Sequence, residues 1–220
     1  MTLLVTGGAN GIGAAIVEQA RDRGEHVISL DLESGVDAAD PAAVRAFLDS
    51  GPVPTRVAHI AGVVGKGGID EIGLDEWDRV IRANLTSAFV VMSEVVPRMA
   101  DAGGGAVVLM SSLNARDGGT TMSGAAYASA KAGVLGLMRH IAVQWGTRNV
   151  RANGIAPGPV RTRIHDRLDD AQRAGILAKM PLPRVAEPQE IAEMVLFLLS
   201  DACASVTGTT FDVNGGSHLN

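Results

Sequence analysis

LLVTGGANGIGAAIVEQARDRGEHVISLD, residues 3–31, decides the fold. A short β run at 3–5 enters a glycine-rich turn, Thr6 to Gly13. Residues 14–23 have helical composition, and 26–30 form a second strand ending at Asp31. Glycines at 7, 11 and 13 let the backbone turn tightly and approach a pyrophosphate, which the following helix N-terminus stabilises. The spacing is G-x-x-x-G-x-G, not the commoner G-x-G-x-x-G. A turn of this kind is weak evidence alone. Here it follows a strand, opens a helix and is answered by an acid 18 residues past its last glycine.

That acid, Asp31, can accept hydrogen bonds from both hydroxyls of an adenosine ribose and would repel a 2′-phosphate. Asn10 and Leu32 stand where a phosphate site would carry a basic residue. The expected cofactor is therefore NAD rather than NADP. A helix-capping or solvated aspartate is the plainer alternative.

Downstream, only five residues separate Asp31 from Asp37. A parallel crossover through a helix needs roughly a dozen or more residues. The next strand is thus a stub, or the sheet edge is trimmed. A helix is expected over 41–50, with Asp40 as N-cap and Pro41 at its first position. Strands follow at 56–61, 106–111, 150–155 and 209–213. Helices are expected at 75–102, 125–146 and 187–199, and 162–183 is a polar, partly helical excursion. Strand and helix alternate throughout, which predicts an α/β fold: a single-domain, doubly wound parallel sheet (a Rossmann fold) with helices on both faces. One domain spanning 1–220 is expected, with a short substrate lid at about 159–187. Ligands bind such sheets beyond the carboxyl ends of the strands. Gly7, Asp31, Gly62, Ser112 and Pro157 all fall there.

The second informative stretch is SSLNARDGGTTMSGAAYASAK, residues 111–131. It holds Tyr127, the only tyrosine, with Lys131 one helical turn later. An ammonium beside a phenol favours the phenolate, so the pair is a candidate general base. Free tyrosine titrates near ~10, and lowering it to ~7 needs about 4 kcal/mol. One exposed lysine supplies less than that. A second positive charge, such as an oxidised nicotinamide, would help. The alternative is an ordinary surface pair.

Composition narrows the class. Apolar residues make up 46% and charged residues 20%, as in a globular chain. The formal charge of −5, with no basic run, argues against nucleic acid. The lone Cys203 excludes an internal disulfide and fits a buried small side chain in a reducing compartment. No leader or long apolar segment is evident at the start, so a cytoplasmic protein without membrane attachment is expected.

Together these elements resemble the short-chain dehydrogenase/reductase family from Leu3 to Gly216. The cofactor turn, the strand-end acid, Ala61-Gly62, Asn84 in a helix, a strand-end serine, Tyr-x-x-x-Lys and Pro157-Gly158 occur in family order. The resemblance implies a catalytic tetrad of Asn84, Ser112, Tyr127 and Lys131. Tyr127 would exchange a proton with the substrate oxygen, and Ser112 would hold that oxygen. Lys131 would lower the tyrosine pKa and bind the nicotinamide ribose. Asn84 would anchor a water that relays protons. Gly7, Asn10, Gly11, Ile12 and Gly13 would wrap the pyrophosphate, with Asp31 and Leu32 by the adenosine ribose. Asp37 and Ala38 would edge the adenine, and Ile60, Ala61 and Gly62 the ribose side. Pro157, Gly158, Val160 and Thr162 would hold the carboxamide end. Ser111 and Ser112 could each instead cap the following turn; Ser112 is preferred because the second serine matches the family.

Three departures stand out. The segment after Asp31 is short, which puts the adenine contact of Asp37 in question. His59-Ile60 replaces two asparagines that usually precede the alanine-glycine, removing side-chain bonds that brace the central strand. The lid between Thr162 and Pro188 is short. Pocket-side candidates are Asn114, Arg116, Met122, Pro159, Arg161, Arg163 and His165. They hint at a hydroxylated or anionic substrate, although solvated lid arginines are the plainer reading. The expected activity is NAD-dependent hydride transfer with a small polar secondary alcohol or its ketone, such as a polyol, sugar or hydroxy acid. The alternatives are a 3-oxoacyl or ketosteroid reductase, or an NAD-binding regulator without catalysis. By resemblance a homotetramer is expected, built on the helices containing Asn84 and Tyr127.

Overall fold

The computed structural model describes residues 1–163 and 169–219. Among them, six strands form one parallel sheet: β1 (Thr2–Thr6), β2 (His26–Leu30), β3 (Arg56–His59), β4 (Gly105–Met110), β5 (Val150–Pro157) and β6 (Thr210–Val213). Their spatial order is β2-β1-β3-β4-β5-β6. The order reverses beside β1, where β2 lies on one side and β3 on the other, and a ligand crevice forms at such a switch point. The strand ending at Asp31 is the sheet edge, so the edge is trimmed. A 3₁₀ turn, Leu32–Ser34, and the helix α2 (Pro41–Asp49) lead directly from it to β3. The sequence pattern runs β3 to residue 61, but the register stops at His59, with one further bond from Ile60 N–H to the Thr6 carbonyl at 3.2 Å.

Successive strand residues point to opposite faces, and both faces are covered. On one, Leu4, Val57, Val107 and Leu109 pack with α2, with α4 (Ser87–Asp101) and with α6 (Ala125–Trp145). On the other, Leu3, Val5, Ala58 and Val108 pack with α1 (Gly11–Asp22) and α8 (Pro188–Leu199). These strands therefore carry near-continuous apolar runs, as doubly covered parallel strands do. The fold is the doubly wound α/β sheet expected from the alternation.

Local signals fix the helix ends. The Asp40 carboxylate accepts from Ala42 N–H (2.9 Å) and Ala43 N–H (3.2 Å), with Pro41 just inside α2. The helix expected at 75–102 is a 28-residue run, Leu74–Asp101, half buried over its most apolar window. It comprises α3 (Leu74–Ile81), one π turn (Arg82–Thr86) and α4. Two further helices are α5 (Asn114–Asp117) and α7 (Asp170–Leu177); α7 lies in the polar excursion.

Candidate active site

The turn after β1 is shaped by close approach. Gly7 has φ of +70°, and a Cβ on Gly13 would overlap the Gly7 carbonyl oxygen. At the N-terminus of α1 the Asn10 side chain makes no capping bond to the helix. It donates instead to Glu33 Oε1 at 2.8 Å. The first N–H groups of α1 thus remain available to an anion. The Asp31 carboxylate accepts from Ala9 N–H (3.1 Å) and from Glu33 N–H (3.0 Å), tying the turn to the end of β2. Two carboxylates, Asp31 and Glu33, therefore border this end of the crevice. Glu33 is not among the expected site residues. Its signal is nonetheless present in the sequence: a second acid two positions past the first.

The other expected cofactor residues gather around the same crevice. Leu32 is exposed beside Asp31. Ile60 and Ala61 N–H donate to Thr6 Oγ1 at 3.2 and 3.3 Å, which holds the segment to Gly62 against the turn. Gly158 N–H donates to the Val213 carbonyl at 3.0 Å, and Val160 is buried in a bridge to Ala186. The Thr162 methyl lies 3.3 Å from where a Cβ on Gly11 would stand, so the loop from Pro157 reaches back over α1. Asp37 is further committed. It accepts from Ala39 N–H (2.8 Å) and pairs with Arg82 at 2.9 Å, while Ala38 beside it is buried.

At the carboxyl ends of β3 and β4 the four tetrad candidates converge. Lys131 is only 4% exposed, and its Nζ donates to the Met110 carbonyl at 2.9 Å. Nζ stands 5.6 Å from the centre of the Tyr127 ring. Burial lowers the lysine pKa to about 8. Burial also raises the Tyr127 pKa, opposed by a hydrogen bond with Ser112. Lys131 alone thus does not bring the phenol down, in keeping with the expectation that one lysine supplies too little and a second positive charge is needed. The two serines separate cleanly. Ser111 Oγ donates to the Lys131 carbonyl at 2.8 Å, a buried strut. Ser112 Oγ accepts from Asn114 N–H at 3.2 Å and faces the phenol.

Asn84 sits in the π turn and is fully buried. Its Nδ2 donates to the carbonyls of Val63 (2.8 Å) and Val80 (2.9 Å). Its Oδ1 has no partner among the described residues. A Cβ on Gly62 would overlap that oxygen and lie 3.4 Å from Lys131 Nζ. The absent side chain at Gly62 leaves a polar gap between the amide and the ammonium, where an unsatisfied acceptor favours a water.

The pocket-side candidates are less concentrated. Arg116 pairs with Asp212 of β6 at 3.4 Å, and Arg161 with Glu187 at 2.8 Å. Asn114 is half-buried on α5; Met122 and Arg163 are exposed. The Pro159 carbonyl accepts from Ala186 N–H at 3.1 Å. His165 lies outside the described residues. Sequence reasoning also misses two hydroxyls, Thr6 and Ser87, and the use made of His59. The His59 ring links them: Nδ1 is 2.9 Å from Thr6 Oγ1 and Nε2 3.4 Å from Ser87 Oγ. The central strand is therefore braced by a different side chain, not left without one.

A glycine-rich crevice beside a cluster of buried Lys131 with half-buried Tyr127 and Ser112 fits an oxidoreductase acting on CH–OH or C=O groups. The chain belongs to the short-chain dehydrogenase/reductase family. A family profile described as enoyl-(acyl carrier protein) reductase matches residues 36–218. The D-threitol dehydrogenase of Mycolicibacterium smegmatis is 34% identical, over 97% of this chain and 91% of its own. The 3-oxoacyl-(acyl-carrier-protein) reductase of Escherichia coli is also 34% identical, over 98% and 96%. A crystal structure of a 3-oxoacyl-(acyl-carrier protein) reductase with bound NAD from Brucella melitensis superposes with a TM-score of 0.87. It is 28% identical, with 100% of this chain and 91% of that one covered.

Proposed function

We propose that the protein is an NAD-dependent dehydrogenase of a small polar secondary alcohol or its ketone. The observation that carries the cofactor choice is the acidic border of the crevice. Asp31 and Glu33 stand at the end of β2, with Asn10 held by Glu33. A 2′-phosphate there would meet two carboxylates. The polar pocket-side candidates, Asn114, Arg116 and Arg161, suit a polyol, sugar or hydroxy acid, and the relative named D-threitol dehydrogenase supports a polyol.

When bound, the dinucleotide takes or supplies the hydride and, oxidised, adds a positive charge near the phenol. Tyr127 then removes the hydroxyl proton in oxidation, or donates it in reduction. Ser112, hydrogen-bonded to the phenol, holds the substrate oxygen within reach. Lys131 faces two ways. Its ammonium, 5.6 Å from the Tyr127 ring centre, favours the phenolate and binds the nicotinamide ribose. The unsatisfied Asn84 Oδ1 beside Gly62 anchors a water that exchanges protons with Lys131. Gly7, Gly11, Ile12 and Gly13 wrap the pyrophosphate. Ala38 and the backbone at Asp37 edge the adenine, since the Asp37 carboxylate is engaged with Arg82. Ile60–Gly62 pass the ribose, while Pro157, Gly158, Val160 and Thr162 hold the carboxamide.

The chain works as one domain, with 159–187 as its lid, in a reducing cytoplasmic compartment. It assembles as a homotetramer; Phe89 on α4 and Val143 on α6 are large apolar side chains left 58% and 83% exposed. A second reading, 3-oxoacyl reduction, is supported by the relatives of that name at 33–34% identity.

One assay separates these readings. Reduction of NAD and of NADP is followed by absorbance of the reduced nicotinamide over a panel of polyols, sugars and hydroxy acids. Oxidation of NADH and NADPH by a 3-oxoacyl thioester runs in parallel. NAD-linked oxidation of a polyol supports the first reading, and NADPH-linked thioester reduction overturns it.

A further inference from the structure

The geometry points to His59 as a positioning residue, a neutral strut that couples the cofactor turn to the π turn carrying Asn84. The inference rests on the catalytic reading above and extends it to a residue outside the tetrad. His59 is 1% exposed at the end of β3. The hydrogen-bond distances favour one tautomer. Ser87 Oγ donates its one proton to the Ala83 carbonyl, 2.8 Å away. The Asn84 carbonyl, at 3.3 Å, is a second acceptor for it, so the 3.4 Å contact to His59 is assigned to Nε2–H as donor. Nδ1 is left as acceptor, and Thr6 O–H donates to it at 2.9 Å. Thr6 Oγ1 in turn receives the N–H groups of Ile60 and Ala61.

The result is one directed chain from the Gly62 segment through Thr6, His59 and Ser87 to the carbonyl of Ala83, next to Asn84. A second ring proton would point at a Thr6 oxygen already accepting two N–H groups, so the network holds the ring neutral. Burial and the Lys131 charge act in the same sense, lowering the His59 pKa to about 3. Neutrality matters because an imidazolium here would add a like charge close to Lys131.

The test uses the full-length protein. NADH affinity is measured by fluorescence titration, together with kcat, KM and melting temperature, for wild type, His59→Phe, His59→Gln and Ser87→Ala. His59→Phe should weaken NADH binding and kcat by roughly tenfold each, leaving substrate KM within about twofold. Ser87→Ala, which cuts only the far end, should lower kcat while NADH affinity holds. His59→Gln, able to accept and donate, should recover part of both losses. A merely structural role would lower melting temperature and leave these constants unchanged in the folded variants; that result overturns the inference. Nitrogen NMR of the wild-type imidazole should show one neutral Nε2–H ring from about pH 8 to about pH 5. A protonated or Nδ1–H ring overturns it even if His59→Phe does not fold. If wild type neither binds NADH nor turns over, the catalytic reading falls first. Active wild type with unperturbed variants sinks the strut alone.

Discussion

Tyr127 illustrates how far one side chain depends on its surroundings. Burial raises its pKa, the Ser112 bond lowers it, and the neighbouring ammonium is itself depressed to about 8. The substitution Tyr127→Phe removes the proposed proton carrier without removing ring packing. We expect kcat to fall by at least about a hundredfold with NADH affinity kept, read by steady-state kinetics beside a binding titration. The acidic pair sets a second residue-scale prediction. Two unit charges 4 Å apart interact by about 1 kcal/mol in water, and a 2′-phosphate carries nearly two. Glu33→Gln should therefore improve NADPH affinity by roughly tenfold while changing NADH affinity by less, because the amide oxygen of the new side chain still offers Asn10 an acceptor. Equal shifts for both dinucleotides would remove Glu33 from the selectivity argument. The Asp31 half of this pair is legible from its distance to the glycines. Glu33 escapes notice because its relevance lies in a bond to Asn10, 23 positions away.

At the scale of elements, the sequence carries what is local and loses what is not. The trimmed edge follows from counting five residues, and the α2 start from Asp40-Pro41. Losing the Asp40 cap should cost about 1 kcal/mol, so Asp40→Ala should lower the urea midpoint with little change in slope. The π turn is not legible, because one extra residue in a turn leaves the apolar pattern of residues 74–101 helical throughout. Its consequence is concentrated at Gly62. A Cβ there would collide with Asn84 Oδ1. Gly62→Ala should cut kcat at least tenfold by displacing the Asn84 amide, while circular dichroism stays native. The two serines are likewise told apart only by packing, Ser111 bonding the Lys131 carbonyl and Ser112 facing the phenol.

For the whole molecule, two buried bases give stability a pH dependence that surface charges do not. His59 titrates at about 3 in the fold against 6.5 as its ordinary value, and Lys131 at about 8 against 10.5. Both are depressed, so the unfolded chain binds protons that the fold refuses. For Lys131 the cost is complete below about 8 and is relieved as pH rises towards 10.5. For His59 it begins below 6.5 and grows until about 3. The carboxylates held down by arginine, Glu76, Glu94 and Glu190, start from 4.5 and act only at lower pH. Between pH 6.5 and about 5.5 the buried imidazole therefore dominates the slope over these pairs, which steepens from about half of 1.4 kcal/mol per pH unit towards that limit, for roughly 1 kcal/mol across the window. Urea unfolding at intervals across that window should show wild-type stability falling as pH drops. His59→Phe should be less stable at pH 7 yet nearly flat over the same range. A wild-type curve that is flat there, or a variant with the same slope, would mean that the ring takes up its proton within the fold. That ring lies 53 positions from Thr6 and 28 from Ser87, a pairing set by strand order and helix packing and visible only once the sheet is assembled.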